Sequence, residues 1–311
     1  MSHEPALAVE AKELTRRFGS TLAVDRLTLA VRPGEVFGLV GPDGAGKTTA
    51  MRLLTGVMAA TSGTALVLGL DVTRDPEAVR PRIGYVPQSS SLYADLTVLE
   101  NLRFHADLFG IPRAERLRKA EELLAFSRLE AFGGRLARQL SGGMRQKLAL
   151  CVALIHRPEV LFLDEPTIGV DPVSRRDFWL LIYQLVQQGV TLLVSTPYLD
   201  EAERCHRVGL MHRGRLVACD TPAGIRRLHS GALLEARGDD LEAAAPLLRR
   251  LPGVRDVQTF GDTLHVAAAD GVDADALAGA IRAAGLPALT LRPIAPGLED
   301  VFVALLREEK T

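Results

Sequence analysis

The sequence predicts an α/β chain: a mainly parallel sheet built around a phosphate-binding loop, with a helical insert, followed by a small α+β domain. Three observations predict it. Short uncharged apolar runs, such as Val36–Val40 and Val160–Leu163, alternate with stretches of helical spacing. The first of those runs leads straight into a Gly-rich loop, Gly41–Thr49, with a helical pattern behind it. After about residue 225 the pattern changes to a self-contained β-α-β-β-α-β order.

Taken in order, Leu7–Glu10 and Ala23–Val31 are predicted strands, and Val36–Val40 follows the Pro33-Gly34 turn as a strand buried on both faces. Thr49–Met58 has helical spacing. From about Ser91 to His156 the pattern is helical, with Leu99, Leu102 and Phe104–Phe109 on one amphipathic stretch and Ala114–Phe126 on another. Val160–Leu163 and Val190–Val194 are strands separated by a helix over Val173–Gln188. This gives a first domain over 1–228, with its helical insert at about 90–140, and a second over 229–311. In the second, Leu233–Ala236 is a strand, Leu241–Leu251 a helix, and Val254–Phe260 with Thr263–Ala268 a hairpin turned at Gly261-Asp262. A helix over Asp273–Ala284, a strand over Ala288–Leu291 and a closing helix over Leu298–Leu306 complete it. The order is the split βαβ pattern of ferredoxin-like domains.

Composition narrows the function class. The 311 residues are 47% hydrophobic and 24% charged, which is globular rather than disordered. Lys plus Arg (37) balance Asp plus Glu (38), so no net charge draws the chain to nucleic acid. Lys occurs only at 12, 47, 119, 147 and 310, which makes Lys47 inside a Gly-rich loop a pointed choice. Cys151, Cys205 and Cys219 are odd in number and far apart, as reduced cytoplasmic thiols are. Met1–Pro5 has neither the basic start nor the apolar run of a signal peptide, and no stretch approaches the roughly 18 to 20 apolar residues that span a bilayer. Any membrane role is therefore expected to come through another chain.

Three motifs carry chemistry. Gly41-Pro42-Asp43-Gly44-Ala45-Gly46-Lys47-Thr48-Thr49 fits G-x-x-x-x-G-K-[ST]. Its glycines let successive backbone N–H groups face the phosphates at a helix N-terminus, Lys47 supplies countercharge, and the Thr48 hydroxyl is placed to ligate Mg²⁺. The strand Val160–Leu163 ends in Asp164 and Glu165, 117 residues beyond Lys47. Asp164 is the candidate Mg²⁺ holder and Glu165 the candidate to orient or deprotonate a water; the plain alternative is a pair of turn-capping acids. Leu140-Ser141-Gly142-Gly143-Met144-Arg145-Gln146 opens a helix to about His156, either as an ordinary N-cap or as a second anion site serving a nucleotide held by another subunit.

These residues closely resemble the nucleotide-binding subunits of the ABC transporter family, over about residues 7–225 and in family order. Gly41–Thr49 resembles the Walker A loop, Ser141–Gln146 the signature, and Val160–Glu165 the Walker B strand. Gln88 falls where the Q-loop glutamine contacts Mg²⁺ and senses the membrane subunit, Asp171 where the D-loop lies, and Phe18 where an aromatic stacks on adenine. The resemblance implies a P-loop NTPase core of the ABC type with a helical subdomain, binding ATP and Mg²⁺. It also implies a head-to-tail pair with a second ATPase subunit, homo- or heterodimeric. Transmembrane permease subunits are the implied partners, at the cytoplasmic face of the inner or plasma membrane. Pro296-Gly297-Leu298-Glu299-Asp300-Val301-Phe302 resembles the ending of bacterial exporter ATPases of the drug, antibiotic and polysaccharide branch.

Two departures stand out. Asp43 occupies a place where the family more often has Asn. In Ser195-Thr196-Pro197-Tyr198-Leu199-Asp200-Glu201, Pro197 replaces the family's γ-phosphate-sensing histidine, and neither His206 nor His212 is in register to substitute. Slow hydrolysis is the expected consequence, and a weakly hydrolysing regulatory half of a heterodimer is one alternative. A soluble ABC ATPase of translation or DNA maintenance is the other. Against it stand a single motor, no sustained heptads and no basic stripe.

Overall fold

The structure is a computed structural model that describes residues 7–89, 91–284 and 289–308; Met1–Pro5 and the expected strand start at Ala288 lie outside them. The chain divides into two compact units, Met1–Pro222 and Ala223–Thr311, a few residues ahead of the expected division after 228.

In the first unit β1 (Val9–Phe18) and β2 (Thr21–Val31) pair antiparallel and are both longer than expected. Lys12, Glu13, Arg16 and Arg17 interrupt the apolar alternation. The strand continues past them through register shifts at Ala11/Leu14 and Leu14/Arg16, with Glu13 at φ 48°. β3 (Val36–Val40) is buried at every position, and α1 (Lys47–Leu54) follows the glycine loop. β4 (Ser62–Val67) and β5 (Leu70–Asp71) extend the first sheet to the order β2-β1-β4-β5. Periodicity does not reveal β4, because its first three residues are exposed. α2 (Pro76–Val79) and β6 (Ile83–Val86) precede the helical insert.

The insert holds α3 (Val98–Leu108) and α4 (Arg113–Ser127). Thr97 and Glu100 start α3 as a reciprocal cap: the Thr97 hydroxyl accepts from Glu100 N at 3.2 Å, and the Glu100 carboxylate from Thr97 N at 2.8 Å. After α5 (Gly142–Leu154) come β7 (Val160–Asp164), α6 (Pro172–Gln187), β8 (Thr191–Thr196), α7 (Leu199–Ala202), β9 (Arg207–His212) and β10 (Arg215–Asp220). They complete a six-stranded sheet, β10-β9-β3-β8-β7-β6, parallel throughout except for the edge strand β10. Phe37, Phe162, Phe178 and Trp179 are fully buried in this unit, each worth roughly 1.5–3 kcal/mol by apolar burial. Register then fixes the site: Val40 pairs with Thr196 and Asp164 with Ser195, so β3, β7 and β8 end side by side. In parallel sheets of this kind, ligands bind beyond the carboxyl ends of the strands.

α8 (Pro222–Arg226) lies at the division between the units. The second unit contains β11 (Ala232–Arg237), α9 (Leu241–Leu248), β12 (Val254–Phe260), β13 (Thr263–Ala268), α10 (Ala274–Ala283), β14 (Thr290–Pro293) and α11 (Leu298–Glu308). This is the β-α-β-β-α-β order, in an antiparallel sheet β12-β13-β11-β14. β14 sits about two residues later than expected. Asp300 anchors the final helix: one carboxylate oxygen accepts from Gly297 N at 2.8 Å, and the other lies 2.7 Å from His265 Nδ1.

Candidate nucleotide site

A cavity of about 520 Å³ lies beyond the carboxyl end of β3, lined by Asp43, Gly44, Gly46, Lys47, Thr48, Thr49, Gln88 and Glu165. The loop Gly41–Gly46 enters α1, whose first backbone N–H groups have no intrahelical partner and favour an anion. Gly46 has φ 102°, and a Cβ there would stand 2.3 Å from the Ala23 carbonyl oxygen, so only glycine fits.

Lys47 is 3% exposed and its ammonium is fully engaged. It donates to Gly41 O at 2.7 Å and Pro42 O at 3.0 Å, and its ion pair with Glu165 Oε1 is 2.9 Å. Gln88 Nε2 donates to the other oxygen of Glu165 at 2.7 Å. Glu165 has φ 51°, a left-handed conformation that costs a non-glycine residue of order 1–3 kcal/mol. Its backbone N–H is held by the Ser195 carbonyl at 3.1 Å and the Ser195 hydroxyl at 3.0 Å.

Asp164 is fully buried and, among the described residues, is met by hydroxyls alone. Its Oδ1 accepts from Ser195 at 2.6 Å and Thr48 at 3.1 Å, and its Oδ2 from Tyr85 at 3.3 Å. Burial, reinforced by the Asp164 charge, pushes the Tyr85 phenol up to about 12, so it stays a donor. A buried carboxylate beside the Thr48 hydroxyl, with neutral donors only, is a hard-oxygen pair that suits Mg²⁺.

A family profile described as ABC transporter matches residues 24–168. The Nod factor export ATP-binding protein I of Ralstonia nicotianae is 38% identical over 308 residues, covering 98% of this chain and 95% of that protein. The chain belongs to the ABC transporter family. The daunorubicin resistance ATP-binding protein DrrA2 of Streptomyces coeruleorubidus is 38% identical over 305 residues, covering 96% of this chain and 94% of its own. A probable multidrug ABC transporter ATP-binding protein of Escherichia coli, YbhF, is 44% identical over 218 residues; the match spans 70% of this chain but 38% of YbhF. Among solved structures, an ATP-binding subunit of an ABC transporter superposes with TM-score 0.64 at 32% identity, covering 71% of this chain and 92% of that one. A dimeric ATP-binding cassette in a post-hydrolysis state, bound to ADP and Pi, does so with TM-score 0.62 at 26% identity, covering 68% and 98%.

The remaining motif residues of this ABC chain lie apart from the cavity wall. Ser141 caps α5, its hydroxyl accepting from Met144 N at 3.3 Å, with Gly142, Gly143 and Gln146 in the first turns. A Cβ on Gly143 would meet the Ser174 side chain at 2.5 Å, so glycine here lets α5 approach the start of α6. Asp171 caps α6 by accepting from Ser174 N at 3.0 Å, and that contact holds its carboxyl below the usual range. Phe18 is 44% exposed at the β1–β2 turn, with the Arg16 guanidinium 4.6 Å from its ring centroid; the cavity wall nearby is Thr21, Leu22 and Ala23. Pro197 directly follows β8. His206 is taken up elsewhere, its Nδ1 accepting from Val36 N at 2.9 Å at the opposite end of β3.

Motif reading misses several members of the site. Arg213 and Gly214, in the β9–β10 turn, line the cavity. Their backbone is tied to the loop side by Gly214 N to Ala45 O at 2.9 Å and Asp25 N to Gly214 O at 2.8 Å. Ser195 and Tyr85, which hold Asp164, carry no sequence signal of their own, since only register across β6, β7 and β8 brings them together.

Proposed function

We propose that this chain binds ATP with Mg²⁺, hydrolyses it through Glu165, and powers a separate transmembrane exporter. The observation that carries the reading is the convergence of Lys47, Thr48, Glu165 and Gln88 on one cavity beyond the sheet, with the buried Asp164 hydrogen-bonded to Thr48. Gly41–Thr49 and Lys47 hold the phosphates, and Thr48, Asp164 and Gln88 hold the metal, which supplies charge neutralisation on phosphate oxygens. Lys47 has no free donor while it holds Glu165, so a phosphate must displace that carboxylate. Glu165 is then free to orient and deprotonate water. Phe18 offers adenine the ring face that Arg16 leaves open. Ser141, Gly142, Gly143 and Gln146, with Asp171, face the nucleotide of a second ATPase subunit, homo- or heterodimeric.

Among the described residues no helix is long and apolar enough to cross a membrane, so permease subunits supply the pathway and place the chain at the cytoplasmic face. The relatives' names extend to drugs and Nod factors, and we take amphipathic small molecules or polymers as the cargo class. A second reading, a slow or regulatory half of a heterodimer, is favoured by one observation: Pro197 puts no donor where the family's histidine stands. MgATP turnover by the purified chain and by its Glu165→Gln variant tests the proposal; equal rates would remove Glu165 from it.

A further inference from the structure

The stretch that carries Pro197 also holds a buried carboxylate that does not line the nucleotide cavity. Glu201, in α7, is 0% exposed. Its Oε1 accepts the Thr167 hydroxyl at 2.5 Å, and its Oε2 the Thr196 hydroxyl at 2.7 Å. Thr167 stands two residues beyond Glu165, in the turn that starts with the left-handed φ of that residue. Thr196 ends β8 and precedes Pro197; its hydroxyl also accepts from Tyr198 N at 3.1 Å, bridging around the proline.

The countercharge comes from the helix that Asp171 caps. Arg175 of α6 places Nε 3.7 Å from Glu201 Oε1 and Nη1 3.7 Å from Asp200 Oδ2. Its guanidinium lies 4.3 Å from the ring centroid of Tyr198. At 3.7 Å the charges attract but do not hydrogen-bond, and Arg175 Nε has no hydrogen-bond partner. Arg175 is therefore held by charge and by an aromatic face. A carboxylate removed from water is kept only where its partners compensate it, and a neutral amide would tie two threonines at lower cost. What the charge adds is a link from the Glu165 turn and the Pro197 segment to the start of α6.

We propose that Glu201 is a positioning residue for hydrolysis. Paired with Arg175, it fixes the turn carrying Glu165 against β8 and α6, so that this carboxylate keeps its aim once Lys47 releases it. The proposal rests on the reading of Glu165 as the hydrolytic carboxylate. It matters more in this chain than it would with a histidine at 197, because Pro197 offers no side chain to help hold a water, and misplacement of about 1 Å can cost on the order of 10²-fold in rate.

Glu201→Gln in the full chain is the test. Glutamine can keep both threonine contacts, its oxygen accepting from Thr196 and its amide donating to Thr167, but it removes the charge facing Arg175. Turnover per ATP-binding site should fall about tenfold, a barrier change of about 1.4 kcal/mol, while KM and ATP affinity stay at the parent values. Arg175→Ala should slow turnover similarly, and the double variant should be no slower than the slower single one. Thr167→Val, which cuts the tie without touching charge, should also lower kcat, and Thr167→Ser should restore it. Parent kcat in Glu201→Gln overturns the proposal, as do losses that multiply in the double variant. A loss that only follows the folded fraction, with kcat per binding site unchanged, marks a structural role and overturns it too. If Glu201→Gln does not fold, the Thr167 pair decides: parent kcat in Thr167→Val refutes the positioning role. Glu165→Gln run beside them separates the two readings, since parent turnover there would overturn the hydrolytic assignment and this proposal with it.

Discussion

Replacing Glu165 with Gln tests the site through two readouts that move in opposite directions. The ammonium of Lys47 has three donors and three acceptors: Gly41 O at 2.7 Å, Pro42 O at 3.0 Å and Glu165 Oε1 at 2.9 Å. A phosphate gains Lys47 only by displacing one of them, and the carboxylate is the one whose side chain can swing away. Glutamine is isosteric and can accept from Lys47 through its oxygen, with the Gln88 amide turned over to present its own oxygen. The carboxylate charge is lost from both contacts: the Lys47 ion pair becomes a hydrogen bond from a charged donor to a neutral oxygen, and the Gln88 bond becomes neutral on both sides. A bond to a charged group is worth about 1.5–3 kcal/mol against about 0.5–1.5 for a neutral one, so the change at Gln88 alone weakens the competitor by roughly 1–1.5 kcal/mol, before the loss of Coulomb attraction to Lys47. ATP should then bind at least about tenfold more tightly. Turnover should fall by about 10²- to 10⁴-fold as the general base is lost. Fluorescent-nucleotide titration gives the affinity, and phosphate release gives the rate. Lys47→Ala is the contrast: it removes countercharge and should weaken binding. Unchanged or weaker affinity in Glu165→Gln would refute the competition for Lys47, and unchanged turnover would refute the assignment of the base.

Three further outcomes are expected. Pro197→His should raise turnover of the purified chain with little change in ATP affinity, up to about 10²-fold if the new imidazole reaches the γ-phosphate, since one preorganised donor commonly carries that much; phosphate-release rates check it. A chain ending before Gly231 should remain folded and bind ATP, because the residues lining the nucleotide cavity all lie in the first unit; circular dichroism and nucleotide titration check it. Burial lowers the His105 pKa from 6.5, and burial likewise lowers that of His156. The unfolded chain therefore takes up protons first as pH falls below about 6.5, and stability should drop from there down to the lowered folded values. His105→Leu, which removes a buried Nε2 with no hydrogen-bond partner, should flatten part of that drop in a thermal-midpoint series.

What the sequence made legible follows from how local each signal is. β3, the glycine loop, α1 and the acidic end of β7 are each written in adjacent residues, and the hairpin β12–β13 falls on its expected bounds because Gly261-Asp262 marks its turn. β4 and β6 were not legible. The first opens on exposed polar residues, and the second is four residues long and owes its place to pairing with β7. The hydroxyls around Asp164 were invisible for the same reason, since Tyr85 and Ser195 lie 79 and 31 residues from it and meet it only across the sheet. Glu201 reads as one more acid in an acidic turn, and only its complete burial between Thr167 and Thr196 separates it from Asp200, its exposed neighbour.

Adjacent carboxylates at 164 and 165 invite the question of how one chain keeps them distinct. The backbone answers it. Asp164 is the last residue of β7 and points along the sheet into three hydroxyls, where the Thr48 oxygen completes a place for a cation. Glu165 turns into the left-handed region at φ 51°, which breaks the strand alternation and sends its carboxylate to Lys47 and Gln88 instead. Had β7 run on for one more residue, the period of two would have aimed Glu165 at the opposite face of the sheet, into the core. The strain of that single residue, offset by two contacts from Ser195, is thus what divides metal holding from water activation in the proposed mechanism. It also explains why the anchor of the turn has to be firm. Glu165 must leave Lys47 when phosphate arrives, and a strained turn that loses this ion pair keeps its shape through what lies behind it: Ser195 on one side, and Thr167 with the buried Glu201 on the other.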